Sequence, residues 1–172
     1  TNVGNINYNP GWGQATVVSN MQIGTNNVMK YSNLNYQGTT FDHIYPVTMK
    51  YLHLDVWTAD ETSIQVFPIC WNGTGNEAEK YKTLTPITLN SWNSFDIPLT
   101  DFTSQGLTMS DVYQIKIVGT GGKTIYLDNI YFYDNSVTTD TQAPANFTAT
   151  KGTVTADEVE LLLNATDDSG AV

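Results

Sequence analysis

The sequence has almost no means of cross-linking itself. Cys70 is the one cysteine among 172 residues, so no internal disulfide can form and the fold must stand on packing. A lone cysteine is compatible with export, and its ordinary role is that of a small buried hydrophobe. Long apolar runs are missing as well. No stretch approaches the ~18 consecutive apolar residues that mark a membrane-crossing helix. Charge is scarce, at 14% of residues, where about a quarter is usual. It is also one-sided, because 17 Asp and Glu face 7 Lys and Arg, for a formal net charge of −10. Nucleic acids and anionic membrane surfaces both demand basic patches, which excludes them as partners. A neutral or cationic partner, or a bound metal, fits. No leader-like segment opens the chain. TNVGNINYNPGWG is loop-like and reads as a processed start from which an upstream strand is missing.

Catalytic signatures are absent too. Glycoside hydrolysis needs two carboxylates at a defined separation. Here the acids are scattered, and Glu61, Glu77 and Glu79 fall in turn-like stretches. His43 and His53 lack metal-ligand spacing with each other or with Cys70. There is no G-x-S-x-G and no phosphate loop. Asn72-Gly73-Thr74 matches a glycosylation sequon, a common three-residue coincidence. The chain is not expected to be an enzyme.

What is present is β-rich. Aromatics reach 12%, with four Trp and ten Tyr, and Thr and Asn fill the polar positions. That composition is typical of secreted all-β modules. Helical periodicity is nearly lacking. Strand-like runs bounded by Gly, Pro, Asn and Asp predict strands at 14–19, 27–34, 36–42, 50–58, 63–70, 79–85, 93–99, 112–119 and 124–133. One helical turn is predicted near Thr108–Val112, with Ser110 as its cap. In MKYLHLDVWT, Leu52, Leu54 and Val56 form a dry face and Tyr51, His53, Asp55 and Trp57 a polar-aromatic one. Phe95, Ile97 and Leu99 alternate in the same way, as do Tyr113, Ile115 and Ile117 against Gln114 and Lys116. Two sheets stacked by their dry faces satisfy all of these, which predicts an antiparallel β-sandwich. Pro98 predicts an edge or a strand end.

TIYLDNIYFYD raises a separate question. Strict alternation puts Tyr126, Ile130 and Phe132 on one face and Leu127, Asn129 and Tyr131 on the other. Asp128 then falls between Tyr126 and Ile130, where a carboxylate needs a partner. After Tyr133 the texture changes. Residues 136–146 read as a polar, Pro-containing linker. Residues 147–172 look like the first strands of a further β domain that ends unfinished.

NPGWGQATVVS, VMKYSNLNYQGTTFD, YLHLDVWTAD, SWNSFDIPLTDF and TIYLDNIYFYD occur in this order. Together they resemble jelly-roll, galactose-binding-domain-like carbohydrate-binding modules of secreted bacterial glycan-degrading and glycan-capturing proteins, laminarinase-type enzymes among them. The likeness covers about residues 1–135. APANFTA and ATDDSGAV are similar to the opening of immunoglobulin-like or fibronectin type III domains. The resemblance implies a jelly roll that binds a polysaccharide or oligosaccharide, such as a β-glucan, without catalysis. It implies a monomeric module within a multidomain chain, secreted or at a bacterial cell surface, and accessory to a glycoside hydrolase. In such modules the Asp of an Asp-Asn-Ile strand gives its carboxylate to a structural calcium. Asp128 holds that position, and a cation there would tie the last strand to the N-terminal loop, where Asn2, Asn5 and Asn7 lie. The other reading of Asp128 is a hydrogen bond to an amide or a hydroxyl.

A sugar offers apolar C–H faces ringed by hydroxyls, which suit aromatic rings flanked by amides and carboxylates. Trp71 and Tyr81, in PICWNGTGNEAEKYK, are the leading candidates. Trp12 within NPGWGQ, Tyr36 beside Asn35 and Gln37, and Trp57 complete the set. Trp71 also fits a lid folded back on the core, and Trp92 reads as structural. Two other functions stay open: a calcium-stabilised spacer or adhesin-like domain without a sugar ligand, and a β-sandwich glycanase or lyase. A binder shows exposed rings around a groove, a spacer buries them, and an enzyme sets two carboxylates across a cleft.

Overall fold

The computed structural model describes residues 3–135, 145–154 and 159–166. The chain divides into two compact units, Thr1–Asn135 and Ser136–Val172. In the second unit, β8 (Ala145–Val154) pairs antiparallel with β9 (Val159–Thr166). The rest of the expected linker and of the follow-on domain lies outside the described residues.

The first unit is built on two long strands, β2 (Asn26–Ile44) and β7 (Val112–Tyr133). They run antiparallel side by side from Met29↔Leu127 to Ile44↔Val112. The first half of β2 also carries β1 (Val17–Ile23). The second half of β7 carries β3 (Tyr51–Thr58), and β3 carries β6 (Ser91–Pro98). The first half of β7 carries β4 (Ile64–Cys70), and β4 carries β5 (Lys82–Leu84). Asn7 bridges to Thr40 at the open edge of this second group. The groups are the two layers of an antiparallel β-sandwich. β2 and β7 pass from one layer to the other where their register breaks, between Tyr31 and Tyr36. Such irregularities bend a strand and raise its twist. Asn33 takes φ 53 at that bend, a conformation Asn tolerates better than most residues.

The apolar alternation explains the core. Leu52, Leu54, Val56, Ile97, Ile125 and Leu127 from the first layer meet Ile64, Val66, Leu84, Ile115 and Ile117 from the second in one buried cluster. Each such side chain contributes about 1.5–3 kcal/mol on burial. Cys70 belongs to this cluster at 1% exposure, and burial pushes its thiol pKa up to about 12. It is the small hydrophobe expected. Pro98 ends β6, an edge strand, as expected. Pro68 sits inside β4 but beyond the residues that pair with β5, so its missing N–H breaks no ladder bond there.

Several expectations need correcting. The strands predicted at 27–34 and 36–42 are one strand, and so are those at 112–119 and 124–133. The helical turn is not at 108–112, because Met109 adopts φ 54 and a left-handed residue stops a helix. Ser110 instead shares a hydrogen bond with Thr108. The one described helix, α1 (Thr100–Thr103), is a single turn anchored by fully buried Phe102. The alternation around Asp128 also differs. Asn129 takes φ 50, and the β3–β7 register shifts between His53 and Asp55. The bulge flips the parity of the residues beyond it. Tyr126, Asp128, Tyr131 and Tyr133 therefore share the wet face, while Leu127 and Phe132 turn to the core.

Candidate functional site

Two outer faces are available, one per layer, and both are polar and aromatic. On the first layer, β3 and β7 place Tyr51 beside Tyr133 and His53 beside Tyr131. These rings stack pairwise, with centroids 5.3 Å and 4.7 Å apart, so each spends a face on its neighbour. His53 Nδ1 lies 2.6 Å from Asp96 and Nε2 3.4 Å from Asp55. The His53 contact holds the Asp96 carboxyl below its ordinary pKa. Burial works to raise that of Asp55, but hydrogen bonds from Asn129 and Ser94, with His53 beside them, outweigh it and leave it lowered. Trp57 lies on this face, edge-on to Tyr126 at 5.3 Å. Trp92 is opposite Trp57. At 43% exposure it is a surface side chain, not the structural one expected.

Asp128 is on this face as well, directly across from Asp55. Its carboxylate accepts hydrogen bonds from Asn26 Nδ2 and from the Asn129 N–H. Asn2 lies outside the described residues, and the described part of the N-terminal loop is bonded elsewhere. Asn5 donates to Asp42, and Asn7 pairs with Thr40, both in the second layer. Calcium takes six to eight oxygen ligands. The described residues contain no group of three or more His, Cys, Asp or Glu that could hold a metal. Among the described residues Asp128 is met by these two amide N–H donors, which is the hydrogen-bonded reading of its charge, with the Asp55 carboxylate across from it.

The outer face of the second layer is shaped differently. The segment NPGWGQAT is held against it by side-chain hydrogen bonds rather than by a ladder. Gln14 Nε2 donates to Pro10 O at 2.7 Å and to Gln37 Oε1 at 3.0 Å, and Gln14 Oε1 accepts the Trp12 N–H at 2.7 Å. The Tyr36 hydroxyl donates to Trp12 O at 2.7 Å. This places the Trp12 ring against the backbone of β2 at Gly38. A Cβ at Gly38 would run into that ring. Gly38 needs no special φ, so a side chain there meets only the Trp12 ring and, at 3.0 Å, the Gln114 amide. Gly38→Val is expected to displace the indole, weaken ligand binding about tenfold and leave the melting temperature almost unchanged. Titration calorimetry beside thermal melting checks this.

Between Trp12 and β7 opens a cavity of about 420 Å³. Trp12, Tyr36 and Tyr113 supply rings, Gln114 and Asn76 amides, Ile69 and Val118 apolar floor, and Lys116 with Glu79 an ion pair. Register explains the grouping: Tyr36 is opposite Val118, Gly38 opposite Lys116 and Thr40 opposite Gln114. Tyr113 is braced from three sides. His43 stacks on it at 5.3 Å, Trp71 meets it edge-on at 6.4 Å, and its hydroxyl donates to Asn76 Oδ1 at 2.7 Å. His43 is itself held by Asp111 at 2.7 Å.

The five aromatic candidates thus divide. Trp12 and Tyr36 line the cavity. Trp71 stands behind Tyr113 as a half-buried brace. Tyr81 is exposed but packs on Phe67 at 5.0 Å, outside the lining. Trp57 belongs to the other layer and takes no part. Tyr113, Gln114, Lys116, Asn76 and Glu79 escaped the sequence reading. Gln114 and Lys116 were visible as the polar side of VYQIKIVG, but only the β2–β7 register sets them beside Tyr36.

No family model matches the chain, and no curated protein matches it. Solved structures do. A family 11 carbohydrate-binding module from Clostridium thermocellum, in complex with a β-1,3-1,4-mixed-linked tetrasaccharide, superposes with a TM-score of 0.55 at 18% identity, covering 77% of this chain and 91% of that one. The family 30 module of the C. thermocellum cellulosomal cellulase Cel9D-Cel44B superposes at 0.54 and 13% identity, over 78% and 93%. The fold is that of a β-sandwich carbohydrate-binding module. At such identities the likeness concerns the architecture, and the residues of the cavity have to speak for function themselves.

Proposed function

We propose that residues 1–135 form a non-catalytic carbohydrate-binding module that grips a glycan chain in the Trp12–Tyr36–Tyr113 cavity. The observation that carries this is the convergence, around one open cavity, of three rings that can pack on C–H faces and two amides that can take hydroxyls. The first layer offers rings too, but four of them, Tyr51, Tyr133, His53 and Tyr131, are stacked pairwise, and Trp57 and Trp92 stand apart from them with no cavity described beside them. A β-glucan is the favoured ligand class, since a module of this fold has a mixed-linked tetrasaccharide bound. Location outside the cell follows from the same reading. Hydrolysis is disfavoured because Glu79 is the single carboxylate of the lining and Lys116 occupies it.

Affinity electrophoresis through gels containing soluble polysaccharides tests the proposal. Retardation by at least one β-glucan is the expected outcome. Unaltered mobility in every glycan of a broad panel would return the chain to the spacer reading.

A further inference from the structure

The cavity holds two ionised groups, and they are spent on each other. Lys116 projects from β7 with a side chain only 15% exposed, and its ammonium pairs with the Glu79 carboxylate. Glu79 comes from the β4–β5 connection and is 50% exposed. Every other lining side chain is uncharged. Lys116 Nζ also lies 4.2 Å from the centre of the Phe67 ring, a cation–π contact that helps hold the ammonium in place.

We infer that the Lys116–Glu79 pair determines specificity, holding the cavity to uncharged glycans and turning away acidic ones. The inference rests on the glycan-binding reading above. A half-buried, unpaired ammonium would be a ready partner for a uronate carboxylate, because hydrogen bonds between ionised groups are the strong ones. Glu79 supplies that carboxylate from within. An acidic sugar would have to displace Glu79 or crowd a second carboxylate onto one ammonium, on a chain already carrying −10. An uncharged pyranose meets no such cost. The exposed half of Glu79 can still accept its hydroxyls.

Phe67 makes the idea testable, since it keeps Lys116 in position when Glu79 is neutralised. Isothermal titration of the whole chain would compare hydroxyethylcellulose with carboxymethylcellulose, which share a backbone and differ in charge. Glu79→Gln is expected to raise the affinity ratio in favour of the carboxymethylated polymer about fivefold. High salt should erase the gain, and so should the double variant Glu79→Gln/Lys116→Met. A wild type that binds the uncharged polymer while Glu79→Gln leaves the ratio unchanged would overturn the charge lock and leave the glycan reading standing. A gain that survives loss of Lys116 would overturn it too. If wild type and variant bind neither these polymers nor any other glycan of the panel above, both readings fall together.

Discussion

Trp12→Ala should weaken glycan binding by about 2 kcal/mol, roughly thirtyfold, which is the scale at which a Trp anchor fails. The indole forms one wall of the cavity and is 41% exposed, so its apolar surface is available to a ligand. Its backbone, not its ring, makes the polar contacts that seat the segment: the N–H donates to Gln14 and the carbonyl accepts from Tyr36. Alanine keeps both. The melting temperature should therefore fall by no more than about 2 °C, as for most surface substitutions. Trp57→Ala is the matched control, and it should leave affinity unchanged because Trp57 packs on Tyr126 in the other layer. Equal losses from the two variants would contradict the assignment of the cavity.

The second large effect concerns stability. Glu61 is 1% exposed, yet it carries a carboxylate. It lies just past β3 and reaches across to β7. It accepts the Thr62 N–H at 3.1 Å, the Thr120 N–H at 2.9 Å and the Thr120 hydroxyl at 2.9 Å. Its own N–H donates to Thr58 Oγ1 at 3.0 Å. One buried side chain thus fastens the β3–β4 connection to the bend of β7. Gly119 is part of the fit, since a Cβ there would crowd both Leu34 and Glu61. Glu61→Ala leaves the part-buried donors of Thr62 and Thr120 without their acceptor, which costs about 2 kcal/mol, or on the order of 7 °C in melting temperature. Glu61→Gln retains an acceptor and should lose less. Thermal denaturation of the three proteins checks the order, and an unchanged melting point in Glu61→Ala would refute the role.

The sequence carried the layers well and the site only in part. Strict alternation in YLHLDVWT predicts the dry row of Leu52, Leu54 and Val56, and each is at most 1% exposed. Alternation fails where one residue departs from extended geometry. Asn129 does so and reverses the faces of the last strand, which no period-two count can foresee. Glu61 reads as a turn acid because the donors that hold it come from residue 120, 59 positions away. Trp12 and Tyr36 were legible as rings beside Asn, Gly and Gln. Their partners were not, since Tyr113, Gln114 and Lys116 join them through pairing between distant strands. The place of Tyr81 was hidden for the opposite reason: a ring in a polar stretch packs on an apolar neighbour, Phe67, across the sheet.

The four indole N–H signals of the chain allow the most direct test of where the ligand sits. A ¹H–¹⁵N spectrum would be recorded while a soluble mixed-linked β-glucan oligosaccharide is added. The Trp12 indole and the side-chain amide of Gln114 should shift together and saturably, with Trp57 and Trp92 unmoved. Shifts confined to Trp57 and Trp92, with Trp12 silent, would put the ligand on the opposite layer and contradict the cavity.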